Sequence, residues 1–167
     1  MSKVTLLLAS QQHNRNLADR ILNELNTHDI DAEIIDLVDL DLPLYSTKTQ
    51  ETTGIPPIVT DVFKACEASD GFVFIAPEYN GGIPPVLTNA IAWLSVNGKE
   101  WRGAFNTKIA GIASFSGGGG MQLIIALRSQ LAYLGLTVIG RAIQTTHQKP
   151  LKDESLSDFT AQLIARL

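Results

Sequence analysis

The chain has 167 residues, 45% of them hydrophobic and 18% charged, with a net charge of −4 at pH 7. That length and composition suit one domain with a sizeable core. The acidic balance and the lack of a basic run exclude a general binder of nucleic acid or of an anionic membrane. The single cysteine, Cys66, has no internal disulfide partner and fits a reducing cytoplasm. The histidines, His13, His28 and His147, lie too far apart in sequence for metal-ligand spacing, so no metal is expected. The N-terminal apolar run is too short to span a membrane and has no cleavage pattern, so neither anchor nor signal peptide is expected.

In chain order, VTLLLA at 4–9 reads as a first strand, and Leu17, Ile21 and Leu25, flanked by Ala18 and Leu22, mark a first helix. AEIIDL at 32–37 is a second strand, and the acidic stretch at 36–45 leads into a long connection read as a solvated loop. Val59, Val62, Phe63 and Cys66 share one face of a second helix, ahead of a third strand at 71–76. The third helix carries Val86, Leu87, Ala90, Ile91 and Leu94, and the fourth strand is 108–113. Leu123, Leu127, Leu131 and Leu134 define the fourth helix, LTVIG at 136–140 the fifth strand, and Leu156, Phe159, Leu163, Ile164 and Leu167 the last helix. Near-continuous apolar runs are what parallel strands covered on both faces require. Five strands alternating with five helices predict a single α/β domain over 1–167. It is a three-layer, doubly wound fold with a five-stranded parallel sheet in the order 2-1-3-4-5. A barrel would need eight such units and more chain.

That order directs attention to the loops at the carboxyl ends of the first, third and fourth strands, because ligands of open α/β sheets sit where strand order reverses. The first loop, ASQQHNRNLA at 9–18, opens a helix. Its free backbone N–H groups and helix dipole offer an anion site, to which Ser10, Gln12 and Asn14 add donors beside His13; capping by Ser10 or Asn14 is the plainer use. Neither G-x-G-x-x-G nor G-x-x-x-x-G-K-[ST] is present, so the usual dinucleotide and P-loop patterns are unsupported. The second loop holds Pro77, Glu78, Tyr79, Asn80 and Gly81. A simple turn explains Asn80–Gly81 but not the acid and aromatic before it. The third, ASFSGGGGMQ at 113–122, puts four glycines in a strand-to-helix turn, where a flexible linker is out of place. It reads as a backbone cradle, with Ser114 and Ser116 as donors and Gly117 among the glycines. One phosphate socket and two walls match a mononucleotide with a planar heterocycle.

PEYNGGIPPVLTNAIAWLS, residues 77–95, closely resembles the P-E-Y-N-G-S-I-P-x-x-L-K-N-A-I-D-W-L-S signature of the NADPH-dependent FMN reductase family. The SGGGG stretch followed by Leu127 and Arg128 is similar to that family's glycine-rich loop and following helix. The resemblance implies a flavodoxin-like fold, bound FMN, reduction by NAD(P)H and a homodimer or pair of dimers. It implies hydride transfer from nicotinamide to flavin, then electron transfer to a small-molecule acceptor such as free flavin, a quinone or an azo compound; the alternatives are a flavodoxin-like electron carrier and a cofactor-poor flavodoxin-like binding protein. Carried over by position, residues 77–81 contact the isoalloxazine and ribityl chain, Ser114, Ser116 and Gly117 line the ring's other edge, and Ser10 and Asn14 fall in the phosphate loop. The family's loop typically reads G-S-x-R-x-x-S-x-N. The stretch ASQQHN is shorter and lacks the arginine, which predicts FMN held roughly tenfold to a hundredfold less tightly.

No side chain is expected to act as nucleophile or general acid, Glu78 included. Cys66 reads as a core thiol, and His28 and His147 as surface residues. The third helix has one apolar row more than burial on a sheet needs, Trp93 lying on one of them, and the extra row is expected to pack on a second subunit.

Overall fold

The computed structural model describes all of residues 1–167. Strands β1 (Lys3–Leu8), β2 (Asp31–Asp36), β3 (Gly71–Ile75), β4 (Ile109–Phe115) and β5 (Thr137–Val138) form a parallel sheet in the order β2-β1-β3-β4-β5. This is the expected topology, with register running Leu8 beside Asp36 and Ile75, and Ile75 beside Ala113.

Alternation along each strand sorts the core into two layers. Val4, Leu6, Leu8, Val73 and Ile75 face helices α1 (His13–Asn26) and α6 (Asp153–Ile164). Leu7, Ala9, Phe72, Phe74 and Ala76 face α3 (Pro57–Ala68), α4 (Pro85–Leu94) and α5 (Met121–Tyr133). Both faces being covered, the strands read as continuous apolar runs.

Three expectations are corrected. The fifth strand is split. Only two residues pair as β5; after Ile139, whose N–H still donates to the Ala110 carbonyl at 2.9 Å, the chain leaves the sheet and returns as a sixth strand, β6 (Ile143–Thr145), again parallel to β4. Arg128 accounts for the break, donating 2.7 Å hydrogen bonds to the carbonyls of Ile139 and Gly140. The connection after β2 holds a short helix, α2 (Thr47–Thr53), capped by the Ser46 hydroxyl, which accepts from the Thr49 N–H. It buries no residue, so no apolar period announced it. The third correction concerns the extra row of α4. Leu87, Ala90, Ile91, Trp93 and Leu94 are all buried within the one chain. The connection after β2 covers Trp93: its Nε1 donates to the Pro43 carbonyl at 2.7 Å and Tyr45 packs edge-on to the indole at 5.1 Å. Asn89 donates to the Pro43 carbonyl at 3.1 Å and accepts from the Tyr45 N–H at 2.8 Å. The second half of the 77–95 motif therefore anchors this connection.

Candidate active site

The loops after β1, β3 and β4 meet at one edge of the sheet. After β3, the Tyr79 N–H donates to the Gly82 carbonyl at 3.2 Å and the Gly82 N–H to the Tyr79 carbonyl at 3.0 Å. Between them, Asn80 (φ 51) and Gly81 (φ 73) take left-handed backbone. A two-residue turn with both φ positive favours Asn-Gly. The tight reversal leaves Tyr79 half-exposed beside the site.

Glu78 ties this turn to the next loop. Its N–H donates to Ser116 Oγ at 2.7 Å. Its carboxylate accepts from the Gln122 and Leu123 N–H groups at 2.9 and 3.2 Å, capping α5 from the neighbouring loop. Gly120 before α5 has no side chain to cap with, and negative charge at a helix N-terminus is stabilising. Ser114 and Ser116 form a buried 2.8 Å pair, and Thr145 Oγ1 donates to the Ser114 carbonyl at 2.9 Å. Both serine hydroxyls are thus engaged within the protein, where they fix the loop. Gly120 is required there: a Cβ would lie 2.8 Å from Ser114 Oγ, at φ 76. Gly117 and Gly118 face open space.

The first loop is built differently. Asn14 is buried, its amide donating to the Phe115 carbonyl at 3.1 Å and accepting the Phe115 N–H at 2.8 Å. It braces the site and is not an open phosphate donor. Gln11 turns toward Asp39, donating at 2.7 Å. Gln12 precedes α1 at φ 55 and caps nothing, so the N–H groups of His13 and Arg15 find no acceptor in the chain. Ser10 makes only a 3.4 Å contact with the Gln11 carbonyl. Arg15 is paired with Asp19 at 2.9 Å, one turn along α1, and brings no charge back to the loop. His13 stacks on Phe115 at 4.4 Å.

A cavity of about 210 Å³ opens between these loops, lined by residues 10–14, Pro77, Glu78, Tyr79, Phe115, Ser116 and Gly117. Through Ser10, Gln11 and Tyr79 it adjoins a hollow of about 390 Å³ that reaches Val38 and Val86. Asn80, Gly81 and Ser114 do not line the 210 Å³ cavity. Phe115, Gln11 and Thr145 were not singled out from the sequence, and His147 was read only as a surface residue. Phe115 ends β4, within the stretch 113–122 already read as the third loop, whereas Thr145 depends on β6, which the sequence did not announce.

The ionisable groups that the fold displaces lie at the other end of the sheet. Burial pushes the Cys66 thiol up to about 12. Burial also lowers Lys108, whose ammonium donates to the carbonyls of Cys66 and Glu67 at 2.7 and 2.8 Å. No cluster of three or more metal-ligating side chains is present.

A family model described as NADPH-dependent FMN reductase matches residues 2–149. The chain belongs to that family. It is an oxidoreductase of the flavoprotein type, with FMN and NAD(P)H as the family's cofactors. Among curated relatives, the probable NADPH:quinone oxidoreductase 2 of Oryza sativa is 34% identical over 140 residues, covering 81% of this chain and 67% of that protein. The quinone reductase of Escherichia coli K12 is 42% identical over 55 residues, covering 33% of this chain and 29% of its own. In three dimensions the chain is similar to FerB, a flavoenzyme NAD(P)H:(acceptor) oxidoreductase from Paracoccus denitrificans. The TM-score is 0.77, with 21% identity, over 98% of this chain and 96% of that one. It is also similar to RosB, with a TM-score of 0.75 and 14% identity, over 98% of this chain and 73% of that one. At such identities the structural likeness shows the fold.

The residues present fit a flavin mononucleotide. Gly117 lines the cavity without a side chain, so a flat ring can approach its backbone, Tyr79 offers an aromatic face, and the start of α1 offers unpaired N–H groups to an anion.

Proposed function

We propose that this chain is an FMN-dependent NAD(P)H oxidoreductase that reduces a small-molecule acceptor such as a quinone, free flavin or an azo compound. The observation that carries the reading is the convergence of three loops on one cavity, in a chain that carries the family's 77–95 motif. In this proposal, residues 77–81 and the backbone of Ser116 and Gly117 flank the ring, while Ser10, Gln12, His13 and the free N–H groups of α1 hold the phosphate. Glu78, Asn14, Ser114 and Ser116 keep these elements in place. When bound, FMN supplies the redox chemistry, accepting hydride from NAD(P)H and passing reducing equivalents to the acceptor. The chain's own part is to orient the ring and leave one face open to alternating substrates. The test is NADPH oxidation by the purified protein with a quinone, before and after addition of FMN. Turnover that depends on both FMN and protein supports the reading; bound FMN that NADPH does not bleach contradicts it and fits an electron carrier instead.

The two core layers share one sheet, which supports a single domain over 1–167. A homodimer or dimer of dimers is supported by exposed apolar residues on α5, where Met121, Ile125 and Tyr133 are 53%, 57% and 74% exposed. Sedimentation as a monomer at micromolar concentration contradicts it. No helix is long and apolar enough to cross a membrane. A cytoplasmic site is supported by the lone buried thiol, and fractionation tests it.

A further inference from the structure

β2 ends the sheet and pairs on one side only, with β1. On that side the N–H groups of Asp31 and Leu37 donate to the carbonyls of Ser2 and Leu8, at 3.0 and 2.8 Å. Backbone groups alternate in direction along a strand, so those of Ala32, Ile34 and Asp36 turn to the open side, where no strand lies. Such edges are commonly blunted by proline or lysine, and Asp31–Asp36 contains neither.

A hollow of about 490 Å³ runs along this edge, between β2 and α3. It wraps the edge, because Ile34 packs with the α1 layer and Ile35 with the α3 layer. Ile58 and Val62 of α3 continue the apolar wall, and Ile58 is 40% exposed. Three carboxylates, Asp36, Asp39 and Asp61, share the lining, and none of them enters an ion pair. The one cation there, Arg15, is already held by Asp19 at 2.9 Å. Gln11 reaches Asp36 and Asp39 at 3.3 and 2.7 Å, but a neutral amide leaves both charges in place. The hollow thus combines an apolar wall, unpaired acids and free strand backbone.

We propose that this edge docks an extended, basic segment of another protein, added as a strand beside β2. Main-chain hydrogen bonds to Ala32, Ile34 and Asp36 supply the pairing, as when a peptide extends a sheet. Side chains of the added strand alternate in direction: apolar ones lie on Ile35, Ile58 and Val62, and cations meet the three carboxylates. Charge decides the occupant. A second copy of this edge would set Asp31, Glu33 and Asp36 against their own kind, and like charges facing across strands are destabilising. The hollow shares no lining residue with the 210 Å³ cavity, so the proposal stands apart from the flavin reading.

The experiment titrates the full chain into a fluorescent peptide of alternating lysine and valine and follows anisotropy. The peptide is expected to bind. A peptide of equal charge with proline in place of each valine is expected to bind about tenfold more weakly, because proline cannot donate to a strand ladder. Asp61 and Glu154 are both exposed, on helices that cover opposite faces of the sheet. Asp61→Lys is expected to weaken the first peptide several-fold, and Glu154→Lys, the same change of charge away from the hollow, to leave it unchanged. Absence of binding overturns the proposal. Equal binding of the two peptides, or equal loss in the two variants, overturns it in favour of general attraction to an acidic chain. A sedimenting mass that falls in Asp61→Lys overturns it in favour of a contact between copies of this chain.

Discussion

The two ends of the cavity are built on opposite plans. At the ring-wall end, each polar group is held by another: Glu78 by Ser116 and the start of α5, Ser116 by Ser114, and the Ser114 carbonyl by Thr145. At the phosphate end Asn14 is clamped and Gln11 is turned away to Asp39, while backbone N–H groups of α1 stay open and Arg15 is paired with Asp19. The ring walls are therefore set before a ligand arrives, which lowers the ordering cost of binding. The phosphate end relies on helix N–H groups and a dipole worth roughly 0.3–1 kcal/mol. The proposed site therefore predicts preorganised recognition of the flat ring and weak retention of the phosphate.

The sharpest way to break this contrast is at Glu78. Glu78→Ala leaves two N–H groups of α5 without their acceptor and is expected to cost about 1–3 kcal/mol of stability, read from urea unfolding, together with flavin affinity. Glu78→Gln keeps an acceptor and should retain substantial turnover; a loss beyond about a thousandfold would instead mark a proton-transfer role.

The glycines divide the third loop in the same way. Gly120→Ala meets Ser114 at a left-handed backbone position and is expected to destabilise the fold by about 1–3 kcal/mol. Gly117→Ala has open space around it and should leave unfolding within about 0.5 kcal/mol. It should nevertheless lower flavin affinity, because the added methyl enters the cradle. Equal effects on stability would remove the distinction between the brace and the wall.

At the phosphate end, Gln12→Arg returns the charge the loop lacks. FMN affinity should rise about tenfold, as a charge-assisted contact gives, and an unchanged affinity in calorimetry would show that charge is not what the loop lacks. A group at the opposite end of the sheet serves as the control. The Cys66 thiol is raised from 9.0 to about 12, so the stability it contributes is complete below pH 9.0 and lost as pH rises toward 12. That extra alkaline fall in the urea midpoint should vanish in Cys66→Ala, with flavin binding unaffected.

The sheet order and its two covered faces were legible because they rest on apolar period and length, as in GFVFIA at 71–76. The ends of the sheet were less so. Arg128 diverts the carbonyls of Ile139 and Gly140 through a contact between elements, so LTVIG alone reads as one strand. The three site loops were legible in position, since Glu78 and the glycines are unusual at strand ends. The direction of their side chains was not. Ser114 and Ser116 read from the sequence as ligand donors, whereas the fold pairs their hydroxyls in the interior beside Gly120. Trp93 was legible as apolar but not as the cover for its own connection, because its partner, the Pro43 carbonyl, lies 50 residues earlier.

The central claim, a preformed ring site with a weak phosphate end, is tested most directly by titrating the flavin-free protein with riboflavin and with FMN under the same conditions. The account predicts that riboflavin binds, and that the phosphate improves affinity by no more than about a hundredfold, the range of one or two hydrogen bonds to a charged group. Tight FMN binding with no detectable binding of riboflavin would contradict it, because affinity would then reside at the phosphate and not in the walls.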